Sequence, residues 1–162
     1  MSRGLGDVYK RQLMGPITKI LNEVAQKAES ELHLRVQYIP YNSYDERGGK
    51  IDWNFKFLIS TYDGKRQVCL KYIFNSWDLA DLYYGIDNDD TAGVPIESIF
   101  PETTDYWRYG WEWMPEAFKR WDCENIGKIL KQIKTNGINS DFAKTISETI
   151  KRAAKLCKIP DS

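Results

Sequence analysis

The sequence predicts an α+β fold: an N-terminal helix, a small antiparallel sheet of about four strands, an aromatic-rich connector and two C-terminal helices. Three observations predict it. Apolar residues recur at helical spacing near the amino end, alternate with polar residues through the middle, and return to helical spacing in the final third. A chain of 162 residues fits one domain, and 42% apolar with 14% aromatic side chains is ample to build a core.

The elements follow in order. Ile17, Ile20, Leu21, Val24, Ala25 and Ala28 share one helical face, and Pro16 suits a first turn, which places a helix at about 16–31. Leu32, Leu34, Val36 and Tyr38 alternate with polar residues and stop at Pro40, the pattern of a half-buried strand with His33, Arg35 and Gln37 on its polar side. Tyr41 to Lys50 reads as a loop. Ile51, Trp53, Phe55, Phe57 and Ile59 form a second alternating run, and Val68, Leu70, Tyr72 and Phe74 a third, with Asp63-Gly64 as a hairpin signal between them. A fourth short strand is expected over Leu82 to Ile86.

Short links between these runs require antiparallel pairing, with one sheet face on the core. In the last third, Asp122 caps a helix carrying Ile126, Ile129, Leu130 and Ile133, which Asn136-Gly137 stops. Ser140 caps a second, with Phe142, Ile146, Ile150, Ala153 and Cys157 inward and Pro160 beyond its end.

Composition excludes several functions. The 23 basic and 23 acidic residues cancel, which argues against a protein that coats nucleic acid by charge alone. No apolar run reaches the roughly 18–20 residues of a membrane span, so no membrane partner is expected. Cys69, Cys123 and Cys157 are dispersed and odd in number, as befits a reducing, cytoplasmic setting. With one histidine, His33, the chain cannot build a multi-histidine zinc site or a two-histidine acid–base pair. Neither a catalytic residue nor a metal ligand set is expected in it, nor a cofactor.

Residues 2–12, SRGLGDVYKRQ, have no helical or strand period and resemble translated sequencing-adapter read-through. On that expectation residues 1–12 are a non-native leader, 13–162 form the domain, and the true start lies upstream.

Charge is uneven along the chain. Eight acids and no base lie between Trp77 and Asp105, whereas Asp122 to Ser162 carries eight bases against five acids. Complementary solvated faces account for this, and so does a basic face for phosphate or for an acidic partner. Asp87-Asn88-Asp89-Asp90 lacks the glycine and glutamate of a calcium loop; Asp87 and Asp89 could help bind a hard cation loosely, but the run reads better as a solvated turn. The connector places Trp107, Trp111, Trp113 and Trp121 close together, interleaved with Arg108, Lys119 and Arg120. One helical turn would set Trp107 beside Trp111. Such rings can stack nucleotide bases, line a cation site, or fill the space between sheet and helices. Trp107, Arg108, Trp111, Trp113, Lys119 and Arg120 are therefore the candidate binding residues.

Three alternating strands, then Leu82-Tyr83-Tyr84-Gly85-Ile86, the Trp107/Trp111/Trp113 connector, Trp121-Asp122 and a final amphipathic helix resemble the C-terminal half of certain bacterial and phage proteins of the PD-(D/E)XK nuclease superfamily. The likeness covers about residues 16–157. It implies metal-dependent phosphodiester chemistry from an aspartate followed by Glu-x-Lys or Asp-x-Lys. The nearest match is Asp52 with Cys69-Leu70-Lys71, where Cys69, a poor magnesium ligand, stands in place of the acid. The resemblance thus implies an inactive, non-catalytic portion that supports a catalytic core or its grip on nucleic acid, with magnesium expected only in a core upstream. The alternative is a stand-alone protein-binding module of immunity or anti-defence type.

Overall fold

In a computed structural model, which describes residues 3–44, 48, 50–75 and 81–160, the chain is α+β. The N-terminal helix α1 (Arg3–Leu32) leads into strands β1 (Arg35–Tyr44), β2 (Lys50–Ser60), β3 (Gln67–Phe74), β4 (Leu82–Ile86) and β5 (Trp111–Trp113). A single-turn helix α2 (Glu116–Lys119) and helices α3 (Cys123–Asn136) and α4 (Asp141–Lys158) close the chain. The strands form one sheet in the order β1-β2-β3-β4-β5, with every neighbouring pair antiparallel.

The alternation fixes which face meets the helices. Phe57 pairs with Leu70 and Leu70 with Ile86, so side chains of equal parity share one face across three strands. On that face Phe55, Phe57, Ile59, Val68, Leu70, Tyr72, Phe74, Leu82, Tyr84 and Ile86 are buried against Ile17, Ile20, Leu21 and Val24 of α1 and Phe142, Ile146, Ile150 and Ala153 of α4. The Tyr72 hydroxyl, in the middle of this core, is bonded to Thr149 of α4. Both C-terminal helices start as the sequence predicts: the Asp122 side chain accepts from Asn125 N–H at 2.9 Å, and Ser140 Oγ from Ala143 N–H at 3.2 Å. Gly137, at φ +54°, ends α3.

Four expectations are corrected. Helix α1 begins at Arg3 and carries Pro16 in its interior, so the proline forfeits one bond, to the carbonyl of residue 12, and does not open the helix. Leu32 belongs to that helix, and His33 leaves the strand pattern at φ +56°, donating its N–H to Glu29 O at 3.1 Å as the chain turns out of α1. Strand β1 passes through Pro40 to Tyr44, because β1 is an edge strand and Pro40 needs no ladder donor. The sheet has five strands and not about four, the fifth, Trp111–Trp113, lying inside the segment read as an aromatic connector. Among the described residues, no helix is long and apolar enough to cross a membrane.

Candidate functional site on the outer sheet face

The helices cover one face of the sheet, and the candidate site lies on the other. Tyr41, Lys56, Cys69, Lys71, Tyr83 and Gly85 all have outward parity, and β5 adds Trp111 opposite Gly85 and Trp113 opposite Tyr83. Two chemically distinct halves result. One is aromatic, over β4 and β5; the other is charged, over β2 and β3.

In the aromatic half, Tyr83 meets Trp107, Trp111 and Trp113 edge-to-face at centroid distances of 6.2, 5.6 and 5.5 Å. Gly85 makes room for this. A Cβ there would sit 2.8 Å from the Trp107 ring and 2.8 Å from Trp111 Cβ. The loop carrying Trp107 is fastened by Asn88, whose Nδ2 donates to Asp105 O at 2.9 Å and whose Oδ1 accepts from Arg108 N–H at 3.2 Å. Gly110, at φ +101°, closes the loop against Phe100 O, where any side chain would collide. Trp107 is buried, Trp113 is 38% exposed and Tyr106 58% exposed. Lys119 holds its ammonium 4.8 Å over the Trp113 ring.

In the charged half, Lys71 Nζ lies 2.5 Å from Asp87 Oδ2, and Asp87 is only 2% exposed. The second carboxylate oxygen of Asp87 accepts from Asp89 N–H at 3.0 Å. Burial works against the Lys71 charge, but the hydrogen bond and charge of Asp87 prevail and hold its pKa above the ordinary lysine value. Lys56 Nζ stands 3.8 Å from Asp90 Oδ2. Both ammonium groups lie over the Tyr41 ring, at 5.6 Å for Lys56 and 5.2 Å for Lys71. Between them Cys69 is fully buried, and burial pushes its thiol up to about 12. The Tyr41 hydroxyl is buried without a hydrogen-bond partner among the described residues.

The candidate residues therefore separate. Trp107, Trp111, Trp113 and Lys119 are brought together on the outer face. Arg108 stands over the Tyr109 ring at 6.0 Å, and Arg120 pairs with Asp81 at 3.9 Å. Trp121 lies in the inner core, edge-on to Phe74 and Phe142, where it fills the space between sheet and helices. The expectation that Asp87 belongs to a solvated turn is corrected: the end of the β3–β4 ladder sets it beside Lys71 on the outer face, where it is buried. Strand register places Lys71 opposite Lys56, and Asp52 lies four residues further along β2 with its side chain outside the described residues. The set of Cys69, Asp87 and Asp90 does not fit magnesium, which takes oxygen ligands in near-octahedral geometry; one of these three donors is sulfur.

No family model, curated protein or solved structure matches the chain.

Proposed function

We propose that the chain is the non-catalytic C-terminal portion of a PD-(D/E)XK-type nuclease of the cytoplasm, and that its outer sheet face helps the catalytic core grip nucleic acid. The observation that carries this reading is the partly exposed platform of Tyr83, Trp111 and Trp113, with Tyr106 beside it and Lys119 at its margin. A stacked base is worth about 1–3 kcal/mol to an aromatic ring, irrespective of sequence, and a neighbouring ammonium supplies a phosphate contact. Buried thiols at Cys69 and Cys157 support a reducing compartment. On this reading magnesium belongs to a core encoded upstream, and the chain alone does not cleave.

Fluorescence anisotropy of a labelled oligothymidylate tests the grip. The expected result is salt-sensitive binding that Trp113→Ala weakens by about 1–3 kcal/mol. Binding absent at high micromolar protein, or indifferent to Trp113→Ala, removes the platform from the proposal. Sequencing upstream of the Leu13 codon tests the parentage, since an in-frame Asp and Glu-x-Lys pair is required there.

A second reading, a protein-binding module of immunity or anti-defence type, is favoured by one specific observation. Asp89, Glu97, Glu102 and Asp105 are exposed and form no ion pair among the described residues, and they share their segment with the exposed Ile96 and flank exposed Tyr106. An acidic rim with apolar protrusions suits a basic protein surface. Charge reversal at Glu97 and Asp105 should then abolish partner capture while leaving oligonucleotide binding intact or stronger.

A further inference from the structure

We infer that Glu102 makes the aromatic platform selective for guanine. This deepens the nucleic-acid reading proposed above and rests on it, naming the base that the platform takes. The backbone fixes the place of Glu102. Its N–H donates to Trp111 O at 3.2 Å and its carbonyl accepts from Trp111 N–H at 2.8 Å, so the two residues face each other as an antiparallel pair. Residues paired in this way project to the same side of a sheet, with Cβ atoms about 4.5–5.5 Å apart. Trp111 belongs to the outer face, and Glu102 therefore stands beside it at the margin beyond β5, the last strand of the sheet.

Glu102 is exposed and forms no ion pair among the described residues, so its carboxylate is available to a ligand. Its backbone is anchored on both sides. Buried Phe100 donates its N–H to Tyr109 O at 3.1 Å, and Thr104 N–H donates to Trp107 O at 3.3 Å. At the other end of the platform Lys119 holds its ammonium over Trp113, two residues along β5 from Trp111. A nucleotide lying across Trp113 and Trp111 is thus oriented by charge. Its phosphate goes to Lys119 and its base edge to Glu102, since the reverse would set phosphate against carboxylate.

The chemistry of a carboxylate then chooses the base. A carboxylate accepts hydrogen bonds and donates none, and it offers two oxygens side by side. Unstacked bases of a single strand are read along their Watson–Crick edges. Guanine alone presents two adjacent donors there, N1–H and the N2 amino group. Adenine and cytosine each set one amino group beside a ring-nitrogen acceptor, and thymine sets N3–H between two carbonyl oxygens. Guanine therefore satisfies both oxygens of Glu102, whereas each of the others turns a lone pair against one of them. A good bidentate pair discriminates against the wrong base roughly 5- to 150-fold.

Competition anisotropy tests the preference. A labelled oligothymidylate is displaced from the full chain by unlabelled strands of equal length carrying one central guanine, hypoxanthine or thymine. The guanine strand should compete about fivefold or more better than the all-thymine strand. Hypoxanthine, which lacks the N2 amino group, should fall between them. Glu102→Gln, whose amide accepts through one oxygen, should remove most of the preference by weakening the guanine strand, and at an exposed position it leaves the core intact. Lys119→Ala should weaken all three strands alike, as loss of a phosphate contact does. Equal competition by guanine and thymine strands, hypoxanthine competing as well as guanine, or a preference that Glu102→Gln leaves intact would each overturn the inference. Binding of no strand at all would instead overturn the platform, and the guanine site with it, so the two failures are told apart.

Discussion

Lys71 and Asp87 show how one pair can decide the character of a sheet face. Asp87 has almost no contact with solvent, so its charge depends on Lys71 and on the Asp89 amide. Removing one partner of a buried pair leaves an uncompensated charge, whereas removing both can be nearly neutral. Lys71→Met is therefore expected to lower stability by about 3 kcal/mol, and Lys71→Met combined with Asp87→Asn by about 1 kcal/mol or less. Urea denaturation of the two single variants and the double variant measures the coupling. Additive losses would mean that the pair is a solvated contact. Nothing in the local sequence announces this pair, because Asp87 sits in a run of acids that looks like any polar turn. Only the register of β3 on β4, with Lys71 opposite Gly85, brings the two together. Gly85 is a similar case: its role is visible only once Trp107 and Trp111 are known to lie over it.

At the scale of elements, period and caps carried the assignment wherever a segment was long enough to repeat. Phe55, Phe57 and Ile59 against Val68, Leu70 and Tyr72 define β2 and β3 from alternation alone, and Asp122 and Ser140 cap their helices as their residue types require. Trp111–Trp113 is too short for a period, and it is a strand only because β4 offers it an edge. Pro40 looked like a stop because a proline cannot donate to a ladder, yet in β1 its nitrogen faces away from β2. The Val36 N–H on that same outer side is taken by Glu29 Oε1 at 3.0 Å. Alternation puts Tyr38 between them, so two of three successive outward positions on this edge offer no free donor. The edge is thereby closed to a second strand. Pro40→Thr with Glu29→Ala should restore both donors and promote self-association, read as a concentration-dependent shift in light scattering. A double variant that stays monomeric at high concentration would show that α1, and not this pair, guards the edge.

Across the whole molecule, one sheet face is packed under the helices and the other carries the aromatic and charged clusters, and buried ionisable groups occur on both. On the inner side Tyr72, Tyr84 and Cys157 are all pushed up by burial, and on the outer side Cys69 is. The sign is common to all four. An acid whose pKa is raised in the folded state keeps its proton while the unfolded chain loses it, so the unfolded state gains as pH rises past the ordinary values of 9.0 for the thiols and 10.0 for the phenols. Lys71 adds to the same trend, since its raised pKa contributes stability that is complete below 10.5 and disappears as pH climbs through the folded value. Stability should thus be flat near neutrality, begin to fall just above pH 9, and fall more steeply above pH 10. Cys69 alone accounts for about 2 kcal/mol by pH 10.5, taking an ordinary thiol in the unfolded chain. The check is the thermal midpoint of the parent chain and of Cys69→Ala, followed from pH 7 to pH 10.5. Cys69→Ala starts lower, having lost a buried side chain, but its alkaline decline should be visibly shallower. Parallel curves for the two proteins would mean that Cys69 ionises as freely in the folded chain as in the unfolded one, contrary to its enclosure between β2, β4 and Thr91.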